Sequence, residues 1–135
     1  MSLLTWDETL SVEIDIIDEQ HKKLIGMIND LHEAMKERRG HEILSEILDR
    51  MVEYTHFHFD TEEKYFDLFH YDHAIEHKHQ HHGFVEKVDQ FKKDFEQNNA
   101  DVSIAIMNFL KDWTIHHIQI ADKQYVQCFH EHGLE

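Results

Sequence analysis

Four stretches of the chain place apolar side chains at every third or fourth position, and this spacing constrains the fold more than any other feature of the sequence. Residues with this spacing lie on one face of an α-helix. Proline is absent and only four glycines interrupt the chain, so long helices with short connections are favoured. We therefore predict an all-α protein in which each helix buries one face.

The spacing predicts four helices after an irregular arm formed by residues 1–17. The helices span roughly residues 18–38, 41–68, 72–97 and 101–130. Asp18 and Asp72 are expected to cap the first and third helices, since an aspartate side chain accepts hydrogen bonds from otherwise free N–H groups. The segment QNNAD at 97–101 is expected to end the third helix, and the fourth helix is expected to start near Asp101.

Burial of the four apolar faces predicts how the helices pack. Each helix can cover its face only against the others, so we expect an up-down-up-down four-helix bundle that forms a single domain over residues 1–135. Apolar residues of the arm are expected to dock on this bundle: Trp6, Val12, Ile14, Ile16 and Ile17. The inward face of the fourth helix is expected to carry Ile106, Leu110, Trp113, His117, Ile120 and Ala121.

The charge of the chain argues against two classes of partner. Asp and Glu outnumber Lys and Arg by 28 to 13, giving a formal charge of −15, whereas nucleic acids and anionic membranes attract basic surfaces.

No apolar run approaches the ~20 residues that cross a bilayer, and the first residues lack the pattern of a secretory signal, so we expect a cytoplasmic protein. The one cysteine, Cys128, has no partner for an internal disulfide and is expected to pack within a helix.

Fifteen histidines are too many to share one role, and the helical face on which each lies separates them. A histidine in an apolar stripe must satisfy two ring nitrogens inside the core, whereas a histidine among charged residues can use water. Five histidines from four helices fall in the inward stripes: His21, His58, His77, His81 and His117. Glu62 lies inside as well, one turn after His58. Imidazoles and a carboxylate that converge in a core favour a metal centre.

The remaining histidines are predicted to lie outside this centre. His73 shares a face with His77, but it sits at the start of its helix, where water is near. The others are expected at the surface or at helix ends: His32, His41, His56, His70, His79, His82, His116, His130 and His132.

Two Glu-x-x-His pairs suggest an alternative metal site. Glu53 with His56, and Glu76 with His79, have the spacing of the ligands in ferritin-like di-iron proteins. Both pairs align with charged residues on the polar faces of their helices, and helix one offers no carboxylate within its inward stripe. The facing of these residues therefore argues against a ferritin-like centre.

The inward residues lie in motifs that resemble those of the hemerythrin family, in particular the bacterial hemerythrin-like domains. The resemblance extends over nearly the whole chain, with Trp6 in the arm, DEQH at 18–21, HFDTEE at 58–63, YDHAIEHKHQH at 71–81, and HIQIAD at 117–122 followed by Tyr125. In many bacterial members a proline follows the tyrosine of the third motif, whereas Asp72 follows Tyr71 here.

This resemblance implies a non-haem di-iron centre. One iron would be held by His77, His81 and His117, and the other by His21 and His58. Glu62 and Asp122 would bridge the two ions, with an oxo or hydroxo group as the third bridge. Asp122 enters only through the resemblance, because its position five residues after His117 is about 140° away around an ideal helix. Both residues can reach one centre only by a side-on approach or through an irregularity such as a π-bulge.

The resemblance also implies a protein that reversibly binds dioxygen for carriage, storage or sensing, rather than an enzyme. A di-iron oxidase, peroxidase or nitric-oxide-handling enzyme could use the same centre, and so could a module whose iron state controls the docking of a partner. Small anions are expected as further ligands, because two carboxylates leave an iron pair with residual positive charge. Leu24, Phe59 and Ile115 are expected to wall an apolar ligand pocket, since each lies within a turn of a proposed ligand.

Overall fold

The computed structural model describes residues 3–97 and 102–135, and every regular element in these ranges is helical. Five α-helices follow one another: α1 (Asp15–Lys36), α2 (His41–Leu68), α3 (Ala74–Glu96), α4 (Val102–His116) and α5 (Val126–Glu131). A π turn (His117–Ala121) and a 3-10 turn (Asp122–Tyr125) join α4 to α5, and another 3-10 turn (Glu8–Leu10) lies in the arm. Within the described ranges, no helix combines the length and the apolar character needed to cross a membrane.

The four long helices close into a ring, because α1 packs on α2, α2 on α3, α3 on α4, and α4 on α1. The prediction of an all-α up-down-up-down four-helix bundle is therefore confirmed. One apolar cluster includes Leu24, Ile28, Met51, Phe59, Phe84, Val88 and Leu110. A second cluster contains Val12, Ile14, Ile17, Phe66, Tyr71, Tyr125 and Phe129. Along α1, α2 and α3, the inward histidines lie between residues of the first cluster and residues of the second.

The N-terminal arm is fastened to α1 by a pair of hydrogen bonds. The backbone N–H of Leu4 donates to Asn29 Oδ1 at 2.9 Å, and Asn29 Nδ2 donates to the Leu4 carbonyl at 2.8 Å. Val12 and Ile14 are fully buried, as expected for a docked arm. The expectation for Ile16 is wrong, because α1 already begins at Asp15 and turns this side chain outward.

Asp18 fastens the arm instead of capping the first helix. The helix begins at Asp15, three residues before the predicted start, so Asp18 lies within its first turn. The Asp18 carboxylate accepts hydrogen bonds from the Val12 N–H at 2.8 Å and from the Ser11 hydroxyl at 2.6 Å. The predicted cap is therefore wrong, although the aspartate does accept a backbone N–H.

Asp72 does not cap the third helix either. That helix starts at Ala74, and the residue before it, His73, makes no side-chain hydrogen bond to the helix N-terminus. The predicted end of the helix is close to the observed one, since Gln97 follows Glu96 as the C-cap residue. Residues 98–101, and with them the predicted start of the fourth helix at Asp101, lie outside the described residues.

The fourth predicted helix is not continuous, because a π turn follows His116 and a 3-10 turn follows the π turn. Ile120 was expected to point inward but is 59% exposed. A π turn uses more than 3.6 residues, so the third residue after His117 no longer shares its face. Ala121 is buried, as expected.

Two isoleucines provide a test of the predicted core. Ile28 is 0% exposed on α1 and Ile75 is 85% exposed on α3. We expect Ile28→Ala to lower the free energy of unfolding by about 2–5 kcal/mol, because it removes buried methylene groups and leaves a cavity. Ile75→Ala should change it by less than about 0.5 kcal/mol. Urea unfolding of the metal-free proteins measures both, and equal losses would contradict the assigned core.

Candidate metal centre

The structure brings together all the side chains that sequence analysis proposed as metal ligands. They come from the whole bundle: His21 of α1, His58 and Glu62 of α2, His77 and His81 of α3, and His117 and Asp122 after α4. All seven are buried. The pairs on α2 and α3 are each four residues apart, so one helical turn places both members on the inward face.

The π turn explains how Asp122 reaches the same place as His117. The backbone N–H of Asp122 donates to the carbonyl of His117, five residues earlier, instead of to the carbonyl four residues earlier. Because this turn contains one extra residue, Asp122, the fifth residue after His117, lies on the face that the fourth residue would occupy in an α-helix. The irregularity that the resemblance required is therefore present.

Glu62 lies between two imidazoles and a phenol. Its Oε1 atom is 3.2 Å from His58 Nε2 and 3.3 Å from His81 Nε2. Its Oε2 atom accepts a hydrogen bond of 2.6 Å from the Tyr125 hydroxyl. One carboxylate oxygen therefore faces the histidines, while the other is held by the tyrosine.

Asp122 lies among the remaining three imidazoles. Its Oδ2 atom is 3.1 Å from His21 Nε2, and its Oδ1 atom is 3.0 Å from the Nε2 atoms of both His77 and His117. The two latter Nε2 atoms are themselves 3.0 Å apart. The two oxygens of Asp122 thus face different sets of histidines.

The ligand atoms form two overlapping groups, in each of which all atoms lie within 4.8 Å of one another. One group contains His77, His81, His117, Glu62 and Asp122, and the other contains His21, His58, Glu62 and Asp122. Both carboxylates belong to both groups. This sharing is the arrangement that two bridged metal ions require.

Several buried atoms at the centre have no hydrogen-bond partner among the described residues: His21 Nε2, His81 Nε2, Glu62 Oε1 and both carboxylate oxygens of Asp122. Their nearest charged neighbours lie at 3.0–3.3 Å, yet none of these contacts is a hydrogen bond. Leaving such atoms unpartnered costs about 1–3 kcal/mol each. Metal ions among them would accept these lone pairs, and a set of imidazole and carboxylate donors suits iron.

Three of the imidazoles are held from behind by a side-chain oxygen. The contacts are His58 Nδ1 to Gln20 Oε1 at 2.7 Å, His81 Nδ1 to Glu63 Oε2 at 2.8 Å, and His117 Nδ1 to Gln80 Oε1 at 3.1 Å. Each acceptor holds a ring proton on Nδ1, so Nε2 is the nitrogen that a metal ion in the centre would bind. Sequence analysis did not identify these acceptors, because each lies on a different helical element from its histidine and far from it along the chain.

Electrostatic interactions keep both central carboxyl groups ionised. Burial and the charge of Asp122 act to raise the pKa of Glu62, but the His58 and His81 imidazoles outweigh them and hold this pKa below its ordinary value. Burial likewise opposes ionisation of Asp122, yet His117 and its other imidazole neighbours hold the pKa of Asp122 well below the ordinary value. Both groups are therefore in the form that binds cations.

The outer partners make the imidazoles unequal. Burial lowers the pKa of His58, whose outer partner is the neutral amide of Gln20. Burial also acts to lower the pKa of His81, but the adjacent carboxylates of Glu62 and Glu63 raise it to about 9. Besides Glu62, which neighbours both rings, His81 has the charge of Glu63 beside it, whereas His58 has the ring of His21, so His81 is the more basic of these two ligands.

Aromatic rings pack against the proposed ligands. Phe59 stacks on the His81 ring with centroids 3.7 Å apart, and Trp113 stacks on the His117 ring at 4.3 Å. Phe66 contacts the edge of the His77 ring at 4.7 Å. Sequence analysis placed Trp113 on the inward face with His117 but proposed no role at the site for Trp113 or Phe66, although each lies one turn from a proposed ligand.

All three predicted pocket-wall residues belong to the first apolar cluster or pack against it, and Phe59 contacts the rings of His58, His81 and His117. Leu24 and Phe59 are buried, and Ile115 is half-buried against the first apolar cluster. Their placement agrees with an apolar surrounding for the histidines, and their role as the wall of a ligand pocket stays a prediction.

The histidines that were assigned to the surface do not approach the centre. His73 is 59% exposed and lies 3.3 Å from Glu76. His56, His70, His79, His82, His116 and His132 are exposed, and His32 and His130 are half-buried. The side chain of His41 lies outside the described residues. Both Glu-x-x-His pairs are exposed on the outer faces of their helices, so they do not form a ferritin-like site.

Asp122 provides the first test of the centre. We expect Asp122→Asn to reduce iron binding to well below two ions per chain, because the amide keeps the shape of the side chain but loses the negative charge shared by both ligand groups. Metal analysis after anaerobic reconstitution measures the ratio. Asp112→Asn, on the exposed side of α4, is the matched control and should bind as much iron as the unmodified protein.

Glu63 provides a test of the outer partners. Glu63→Gln retains an oxygen that accepts the His81 Nδ1 proton but removes its charge, so the ligand becomes less basic. We expect the affinity for ferrous iron to fall about tenfold, as is usual when an outer carboxylate is altered. Competition with a chelator measures this affinity. Glu86→Gln should leave it unchanged, because Glu86 pairs with the exposed His82, and an equal loss in both variants would contradict the assigned role.

Comparisons with known proteins agree with this geometry. The model of the hemerythrin family described as the hemerythrin HHE cation binding domain matches residues 12–129. A bacteriohemerythrin of Stenotrophomonas maltophilia is 33% identical over 132 residues, which cover 98% of this chain and 85% of that protein. A bacteriohemerythrin of Methylococcus capsulatus is 30% identical over 129 residues, covering 95% and 98% of the two chains.

A solved structure extends the likeness to the fold. The crystal structure of a wild-type hemerythrin matches with a TM-score of 0.83 and 27% identity, and the match covers 94% of this chain and 98% of that chain. The family match spans the arm from Val12 and continues through Phe129, so it includes all seven proposed ligands. The chain therefore belongs to the hemerythrin family.

Proposed function

We propose that this protein reversibly binds dioxygen at a centre of two iron ions. The observation that carries the proposal is that two groups of buried ligand atoms share both carboxylates, Glu62 and Asp122. Two iron ions held by these residues would together supply the two electrons that dioxygen takes up on binding.

The protein offers unequal numbers of imidazoles to the two ions. His77, His81 and His117 would hold one ion, whereas only His21 and His58 would hold the other. Glu62 and Asp122 would bridge them, together with a solvent-derived oxo or hydroxo group. The ion held by His21 and His58 would therefore have one fewer protein ligand, and a small molecule could take the remaining coordination position.

The residues around the centre favour release of the bound molecule over its further reaction. Reversibility requires that water and proton donors be kept away. Leu24, Phe59 and Phe84 are buried apolar side chains, and each lies within one turn of a proposed ligand on its own helix. The Tyr125 hydroxyl is engaged with Glu62, and burial together with the Glu62 charge raises the pKa of this phenol well above its ordinary value. Tyr125 thus holds the carboxylate and keeps its own proton.

The relatives support binding rather than catalysis, since those cited are named as hemerythrins and none of them by an enzyme activity. Carriage, storage and sensing all use the same reversible step. Small anions are proposed as competing ligands, because two carboxylates balance only part of the charge of two iron ions. A cytoplasmic location, a single domain over 1–135 and the lack of nucleic-acid binding stay predictions from composition and charge.

An optical cycle tests the proposal. The iron-loaded protein is reduced without air, exposed to oxygen and then purged with inert gas. We expect a visible absorption band to appear with oxygen and to disappear on purging, over repeated cycles, at a ratio of two irons per chain. The metal-free protein serves as the control for scattering and for adventitious oxidation.

Two outcomes would contradict this function. A band that forms once and converts irreversibly to the spectrum of the oxidised protein would indicate an oxidase or a redox sensor. Fewer than two irons per chain after full reconstitution would contradict the shared ligand groups themselves. The Asp122→Asn protein is the control for both outcomes, because any band that arises at the centre should be absent from it.

A further inference from the structure

The hydroxyl group of Thr114 is buried without a partner. Thr114 lies on α4 and is 2% exposed, and its Oγ1 atom makes no hydrogen bond with any residue in the described ranges. A buried hydroxyl in a folded protein almost always has a hydrogen-bond partner. We therefore expect the hydroxyl of Thr114 to bond to a molecule other than the protein chain.

A second threonine shows that the environment of Thr114 is unusual. Thr55 on α2 is 1% exposed and also lies three residues before a proposed ligand, His58, just as Thr114 lies three residues before His117. The Thr55 hydroxyl donates to the Met51 carbonyl at 2.8 Å, the usual solution inside a helix. Two buried threonines thus occupy equivalent positions, and only one of them is satisfied.

Thr114 lies in the layer directly beside the histidines. Side chains three residues apart on a helix share a face, so Thr114 is one turn from His117 toward the N-terminus of α4. Because α1 runs antiparallel to α4, the same layer on α1 lies one turn after His21, at Leu24. Thr114 is therefore level with one of the residues predicted to wall the ligand pocket.

The packing of α4 shows which way Thr114 faces. Phe109 and Trp113 both contact Phe84, so they mark the side of α4 that faces α3. Thr114 is about 100° further around the helix than Trp113 and about 140° further than Phe109. Since α4 packs against α3 and α1 and Thr114 is buried, this side chain lies on the flank nearer α1, which carries His21.

We infer that the Thr114 hydroxyl donates a hydrogen bond to the small ligand that the metal centre binds. This inference rests on the proposed function and adds a specificity determinant to it. The flank that Thr114 occupies is that of the ion with two histidines, where the open position is proposed. The favoured ligand is a small acceptor that gains negative charge or carries it, such as dioxygen or a triatomic anion, because an alcohol O–H donates most strongly to such oxygen or nitrogen atoms.

Thr114→Val tests the inference, because valine matches the shape of threonine and removes only the hydroxyl. The probe is azide, titrated into the iron-loaded, oxidised protein and followed by visible absorption. We expect the azide dissociation constant to rise about tenfold, the size that the loss of one hydrogen bond to an anion produces. Thr55→Val is the matched control and should leave this constant unchanged.

The stability of the metal-free proteins gives a readout that is independent of ligand binding. Thr55→Val should lower the urea concentration at the midpoint of unfolding, because it removes a satisfied hydrogen bond from the core. Thr114→Val should leave this midpoint unchanged or raise it, since it removes a hydroxyl that has no partner in the chain. A midpoint lowered equally by both substitutions would show that the Thr114 hydroxyl bonds to the protein, and would overturn the inference.

Thr114→Ser separates the hydroxyl from the methyl group. It should bind azide nearly as tightly as the unmodified protein, and an affinity as low as that of Thr114→Val would assign the effect to packing and overturn the inference. An unchanged azide constant in Thr114→Val would overturn it as well, while leaving the proposed function intact. If the unmodified protein bound two irons but neither azide nor oxygen, the proposed function itself would fail.

Discussion

Two carboxylates without access to water, those of Glu62 and Asp122, impose the constraint on which the rest of the structure depends. Burying an ionised carboxylate is costly unless cations or hydrogen-bond donors surround it. Among the described residues, the ion-pair partners of both groups are histidines. Four helices must therefore be held in register to deliver these imidazoles, and the two apolar clusters on either side of the histidine layer provide that register.

Much of this arrangement could be predicted from helical spacing. The inward stripes separated five histidines and Glu62 from the ten histidines that lie elsewhere. This works because an imidazole in an apolar stripe must find partners inside the core, whereas an imidazole among charged residues can use water. The positions of Asp18, Asp72 and Ile120 were mistaken for a different reason. Each depends on where a helix starts or changes its winding, and tertiary contacts of the arm and of the π turn decide this rather than local sequence.

The partners behind the imidazoles could not be predicted, because they depend on which helix packs beside which. Gln20 and Gln80 are polar residues at helix flanks, and sequence alone does not distinguish them from solvated glutamines. The structure shows that they and Glu63 orient three ligands, with one charged acceptor among two neutral ones. The proposed centre is thus asymmetric both in the number of its imidazoles and in the charge behind them.

The π turn at His117–Ala121 rotates the segment that follows it around the helix axis relative to α4. Counted as a continuous α-helix, Asp122, Tyr125 and Phe129 would lie about 140°, 80° and 120° from His117. If the extra residue of the π turn is left out of this count, Asp122, Tyr125 and Phe129 lie within about 40° of His117. All three side chains are buried. A single inserted residue therefore aligns a proposed ligand, the phenol that holds Glu62 and the ring that closes the second cluster. The residues after the π turn are therefore rotated around the helix axis relative to those of α4. Inserting or deleting one residue between His117 and Asp122 would turn Asp122, Tyr125 and Phe129 away from the core together.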